Sequence, residues 1–177
     1  MTALKQFRDG LIGPTAILLA ICATITFALA AVYQLTAPTI ELREIEKESE
    51  ARSRVLNGAE RFTEIFGSFP DGVSEVFKAD NGTGYVMRTV TRGYGSPITF
   101  VIGIGSDGTV EGITILDHNE TPGLGSRISA EAYLSRFYGS VNHHSVDSIT
   151  GATISSNALK TALGLAKEAY EIAKGVR

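Results

Sequence analysis

The chain has a single cysteine, Cys22, in 177 residues. One thiol excludes a disulfide framework, and it excludes an iron–sulfur site built from this chain alone. Tryptophan is absent, the net charge is −3, and no block of Lys and Arg occurs. Nothing in that balance points to nucleic acid. Histidine is scarce, with 3 residues. His118 lies near Asp117 and Glu120, and His143-His144 form a pair. Neither spacing matches a metal-ligand motif, so both read as surface loops. There is no internal repeat, no low-complexity tract and no evident general acid–base pair. What is left is a chain long enough for one ordinary domain with a real core.

The apolar residues are concentrated at one end. Residues 10–40 carry no charge. Leu11 to Leu35 would make a helix of about 37 Å, against a hydrocarbon core of about 30 Å, so it predicts a tilted membrane span. Pro14 falls in its first turn, and Tyr33 sits near its far end, where aromatic rings favour the interface. A cleaved signal sequence is the alternative, because "ALAA" at 28–31 resembles a cleavage site; its apolar core would be only about 7–15 residues. Cys22 lies inside this span. Lys5 and Arg8 precede it, and Glu41, Arg43, Glu44 and Glu46 follow it. That bias places the N-terminus in the cytoplasm and residues 41–177 outside. The span is rich in alanine and glycine, which permit close packing against other membrane helices.

Residues 41–67 alternate acidic and basic side chains at three- and four-residue spacings. They read as a solvated stalk, helical to about Asn57-Gly58, with a second short helix to Gly67. Beyond it the pattern is α+β. Residues 84–92 are rich in β-branched and aromatic side chains, and Ile98, Phe100, Ile102 and Ile104 alternate onto one face of 97–105. Ser106-Asp107-Gly108-Thr109 is a hairpin turn leading into the partner strand 110–117. A glycine-rich loop, 118–128, precedes a short helix from Ser129 to Tyr138, with Ser129 as N-cap. A last helix runs from Ile154 to Lys174 with an apolar stripe that begins at Ile154. The expected architecture is an antiparallel sheet flanked by helices.

"DSITGAT", 147–153, stands immediately before that last helix. A helix start offers free N–H groups and a partial positive charge, which together suit an anion. Gly151 and Ala152 leave room for a bulky group, and Thr153 presents a hydroxyl. On spacing alone, Thr153 or Ser155 could equally be an N-cap, and Thr150, Thr153 and Ser155 are all hydroxyls near one helix end.

The seven residues match the flavinylation motif D-x-x-S/T-G-A-T/S at Asp147, Thr150, Gly151, Ala152 and Thr153. "ETPGLG" (120–125) resembles a second signature of the same proteins, and "RGYGSPI" (92–98) a third, with Ser96 where glycine is usual. The chain thus resembles the FMN-binding proteins that form the G subunit of Rnf complexes and the related C subunit of the sodium-pumping NADH:quinone oxidoreductase. Its length is closer to the former.

That resemblance implies a layout: a cytoplasmic N-terminus (1–10), a membrane helix (11–35), a helical stalk (36–67) and an FMN-binding domain (68–177). It implies FMN joined to Thr153 by a phosphoester, attached outside the cell by a separate flavin transferase that reads Asp147. Glu120, Thr121, Gly123, Leu124 and Gly125 would line the ring and ribityl chain, Glu120 and Thr121 by hydrogen bonds, with Tyr94 closing the other side. The implied role is electron carriage between reduced ferredoxin and NAD⁺ in a complex that moves Na⁺ or H⁺, without independent catalysis. The partners would be the other redox and membrane subunits of that complex. Sequons at Asn81 and Asn119 lose their meaning in such bacterial or archaeal proteins. The other possibilities are the C-type subunit and a membrane-tethered flavin-binding or sensory domain with no redox role.

Overall fold

A computed structural model describes residues 2–140 and 145–175, apart from the side chains of 2–12 and Glu41. The pair His143-His144 lies outside the described residues. The chain divides into two units, Met1–Glu46 and Lys47–Arg177.

The first unit belongs to α1, Thr2–Val55. The apolar side chains between Ile17 and Leu35 all project outward, Phe27 and Leu35 at 78% exposure. This helix is long and apolar enough to cross a membrane, with a mean hydropathy of 2.4 over its most apolar stretch. Two of its threonines are satisfied locally. Thr24 and Thr36 each donate to the carbonyl four residues back, at 2.8 Å, so neither brings an unpaired hydroxyl into an apolar surrounding.

The second unit is an antiparallel five-stranded meander in the order β1-β2-β3-β4-β5. The strands are β1 Phe62–Glu64, β2 Val73–Ala79, β3 Gly84–Arg92, β4 Pro97–Gly105 and β5 Val110–Asp117. The last three keep the bounds expected from alternation. In the β4–β5 turn, Asp107 Oδ1 accepts from the Thr109 N–H and hydroxyl at 3.0 and 2.8 Å. One sheet face carries Ile98, Phe100, Ile102 and Ile104, all buried, under α3, Thr153–Gly175. From α3 come Leu159, Ala162, Leu163 and Ala166, all buried against that face. Full burial of one such Ile or Leu stabilises by about 1.5–3 kcal/mol.

The opposite face overturns the solvated stalk. Ala51, Val55, Leu56 and Ala59 are buried against Ala79, Val86 and Val101. Glycine at 103 and 112 makes room for them, because a β-carbon at either position would strike the Val55 backbone. Lys47 Nζ donates to the Leu116 carbonyl at 2.6 Å, and Arg88 bridges Glu48 and Glu75 at 3.4 and 3.3 Å. The outward charges, such as the exposed pair Glu50 and Arg54, form only the solvent face of an amphipathic end. The second stalk helix is also corrected. Phe62–Glu64 is a strand, because its backbone pairs with Phe77–Ala79. The helix expected over 129–138 is instead a 3₁₀ turn at Gly125–Ser129, a single turn α2 at Glu131–Leu134 and a second 3₁₀ turn at Ser135–Phe137. Ser129 does not cap it. Its hydroxyl bonds the His118 ring at 3.1 Å, and Ala130 holds the cap position.

Candidate functional site

Three segments converge at one end of the sheet. The β3–β4 hairpin closes with the pair Arg92↔Pro97, which leaves Gly93–Ser96 as its loop. β5 ends at the same edge, Asp117 opposite Thr99, and releases the 118–125 loop there. α3 begins alongside, fastened by a bond from Thr91 Oγ1 to the Ala158 carbonyl at 3.0 Å. Ser96 ties the first two segments together, its hydroxyl accepting the Asn119 N–H at 3.1 Å.

Glu120 lies where the three segments meet. It is 5% exposed. Oε1 accepts the N–H groups of Tyr94 and Gly95 at 2.9 and 3.1 Å, and Oε2 accepts a short bond from the Ser155 hydroxyl. Burial pushes its carboxyl up. The bonds from Ser155, Gly95 and Tyr94, with the attraction of His118, outweigh that and hold it below the ordinary 4.5. The site therefore contains a buried carboxylate that is ionised at neutral pH.

The motif before α3 is held in shape by the helix it precedes. The Ile149 N–H donates to Ser156 Oγ at 3.0 Å, and Ser148 bonds Asn157 and Lys160 at 3.3 and 3.1 Å. Ser148 and Ile149 turn partly inward, whereas Asp147, Thr150, Gly151 and Thr153 are exposed. Gly151 has φ +83, a conformation that L side chains rarely adopt, and a β-carbon there would lie 3.0 Å from Leu124 Cδ1. Thr153 is the first residue of α3. The first-turn N–H groups have no intrahelical partner.

These walls enclose an open cavity of about 430 Å³, within the range of small-molecule sites. It brings together Tyr94, Glu120, Thr121, Leu124, Gly125, Gly151, Ala152 and Thr153 of the expected residues, and adds Ile154 and Ser155. Asp147, Thr150 and Gly123 are not among its lining. Ile154 is corrected from core to rim: it is 53% exposed, because the buried stripe runs through Ser155, Ala158, Leu159 and Ala162. Ser155 is 1% exposed, with its hydroxyl committed to Glu120. Tyr94, Leu124 and Ile154 offer exposed apolar surface near the helix start. A flat, partly apolar ligand with an anionic end fits this chemistry, the ring against those three side chains and the anion at the N-terminus of α3. Among the described residues, no group of three His, Cys, Asp or Glu could hold a metal ion.

Residues 93–168 match the FMN-binding domain family, a span that begins at the hairpin loop and ends within α3. The chain is 32% identical over 184 residues to the G subunit of the Na⁺-translocating ferredoxin:NAD⁺ oxidoreductase complex of Acetobacterium woodii, covering 88% of this chain and 89% of that protein. It is 28% identical over 157 residues to the G subunit of the proton-translocating ferredoxin:NAD⁺ oxidoreductase complex of Clostridium ljungdahlii, covering 81% and 80%. The G subunit of the ion-translocating oxidoreductase complex of Methanosarcina acetivorans is 32% identical over 152 residues, covering 76% and 81%.

Proposed function

The chain belongs to the family of G subunits of ion-translocating oxidoreductase complexes, and from that premise we propose that it is a membrane-anchored electron carrier with FMN in phosphoester linkage to Thr153. The observation that carries this reading is the position of Thr153. Thr153 is exposed, lines the cavity and opens α3. Ser155, the neighbouring hydroxyl, is buried and engaged, and Thr150 is not part of the cavity lining.

FMN would supply the electron acceptance and release. The chain's own residues bind and orient. The N–H groups of the first turn of α3 would hold the phosphate, a favourable placement worth about 0.3–1 kcal/mol. Leu124, Ile154 and Tyr94 give apolar surface to the ring, and the glycines of the 120–125 loop allow backbone groups to approach it. Asp147, exposed and outside the cavity, is available to the flavin transferase that makes the bond. α1 anchors the protein, with the N-terminus cytoplasmic and the FMN domain on the outer side, as the flanking charges suggest. Electrons pass between reduced ferredoxin and NAD⁺ through the assembled complex, and this subunit hands them between neighbouring centres.

The test is co-expression with a flavin transferase, followed by in-gel flavin fluorescence and intact mass. The wild type should carry one FMN that survives denaturation. Thr153→Ser should retain some, and Thr153→Val none, while remaining folded. Full FMN mass on Thr153→Val would move the attachment to another hydroxyl and refute the assignment.

A further inference from the structure

We propose that Glu120 is the positioning residue of the flavin pocket: its buried carboxylate fixes the hairpin loop and the start of α3 to the 120–125 loop, and its charge opposes electron addition to the bound flavin. The electrostatic half rests on the FMN reading above; the positioning half does not.

The geometry leaves this carboxylate little freedom for direct ligand contact. Its two oxygens already accept three bonds, from Tyr94, Gly95 and Ser155. The residue is 5% exposed, and the chain around it is shaped to its bulk. A β-carbon on Gly125 would lie 2.7 Å from Oε2, and one on Gly93 would strike Oε1. Glycine at both positions therefore makes room for the carboxylate. The three donors come from residues 26, 25 and 35 positions away, so one side chain connects segments that share no helix or strand.

Among the described residues, no Lys or Arg forms an ion pair with Glu120. Its charge is stabilised by the bonds from Ser155, Gly95 and Tyr94, with the attraction of His118 beside them. A charge met by dipoles is not cancelled, and at a cavity wall its field reaches the ligand. Adding an electron beside a fixed anion is disfavoured, so the pocket should hold its flavin at a lower potential than a neutral pocket would.

The experiment uses the full chain in detergent micelles, with Glu120→Gln and Glu120→Ala. Gln preserves shape and can still accept the two loop N–H groups, but it removes the charge. Ala removes both. Hydrogen exchange is read on protein expressed without a flavin transferase. Protection of the Tyr94 and Gly95 amides should be lost in E120A and retained in E120Q, with β3 and β4 protected in both. Unchanged protection in E120A overturns the positioning role. The midpoint potential is read on flavinylated protein, where E120Q should lie above wild type. An equal or lower potential overturns the electrostatic role. Flavin on the wild type is scored separately by intact mass. Its absence refutes the FMN assignment, and with it the electrostatic role, and leaves the exchange result to decide the positioning role.

Discussion

The α-carbon of Gly103 faces the backbone carbonyl of Val55 so closely that a β-carbon at 103 would collide with it. Backbone cannot swing aside as a side-chain tip can, so relief requires moving the end of α1 off the sheet. Gly103→Ala should cost about 1–3 kcal/mol, as overpacking in a filled core does. The check is urea unfolding of the variant beside wild type. A cost within about 0.5 kcal/mol, the range of an ordinary surface change, would mean that the helix end yields freely.

The same contact sets where the domain begins. A fragment starting at residue 47 keeps Ala51, Val55, Leu56, Ala59 and the edge strand β1. One starting at 68 exposes the faces of Val86 and Val101 and leaves β2 as an unpaired edge. We expect fragment 47–177 to melt cooperatively and fragment 68–177 to aggregate or melt without a clear transition, measured by circular dichroism. Cooperative melting of 68–177 would show that the helix end only decorates the sheet.

What could be read in advance follows from how local each signal is. β3, β4 and β5 declare themselves, because alternation and an Asp-Gly turn are short-range features. β2 does not: Glu75 and Lys78 interrupt its apolar residues, and only pairing with β3 makes it a strand. β1 has three residues, and its state is decided by its neighbour. The end of α1 and the residues just after it look like a stalk because their charges outnumber the four buried residues, Ala51, Val55, Leu56 and Ala59, whose partners lie on strands far along the chain. In the site, the place of Thr153 at the start of α3 is legible because motif and helix are adjacent. The engagement of Glu120 is hidden, because its donors are distant in sequence. Ile154 differs from the buried stripe by one position, and sequence counting does not resolve a helix phase that finely.

Gly151 adopts φ +83 and lies against Leu124. Gly151→Ala should therefore cost about 1–3 kcal/mol of strain and push Leu124 into the cavity. Thr153 keeps its hydroxyl in this variant. We expect FMN attachment to fall sharply while core strands stay protected from exchange, read by in-gel fluorescence and by mass. Attachment at the wild-type level would mean that the turn before α3 does not need this conformation.

Orientation in the membrane can be tested at Ser68, which is exposed in the second unit. In a chain with Cys22→Ala, Ser68→Cys should react with a membrane-impermeant maleimide in intact spheroplasts. Labelling only after lysis would place the domain in the cytoplasm. It would also remove the basis for flavin attachment on the outer side.

Burial pushes the Glu120 carboxyl up, but the bonds from Ser155, Gly95 and Tyr94 and the charge of His118 prevail, leaving it below 4.5 when folded. The unfolded chain then binds this proton more readily than the folded one. Stability from Glu120 is fully present above the unfolded value, and it is lost as pH falls through the folded one. Asp107 shifts the same way, lowered by its bonds from Thr109, but it is common to wild type and Glu120→Gln and so cancels between them. Urea unfolding of both proteins across pH should give a stability difference that changes against wild type as pH falls below about 4.5. A difference that stays constant through that acid range would mean that Glu120 does not titrate there with a lowered folded value, and it would then not be the ionised centre that its three donors imply.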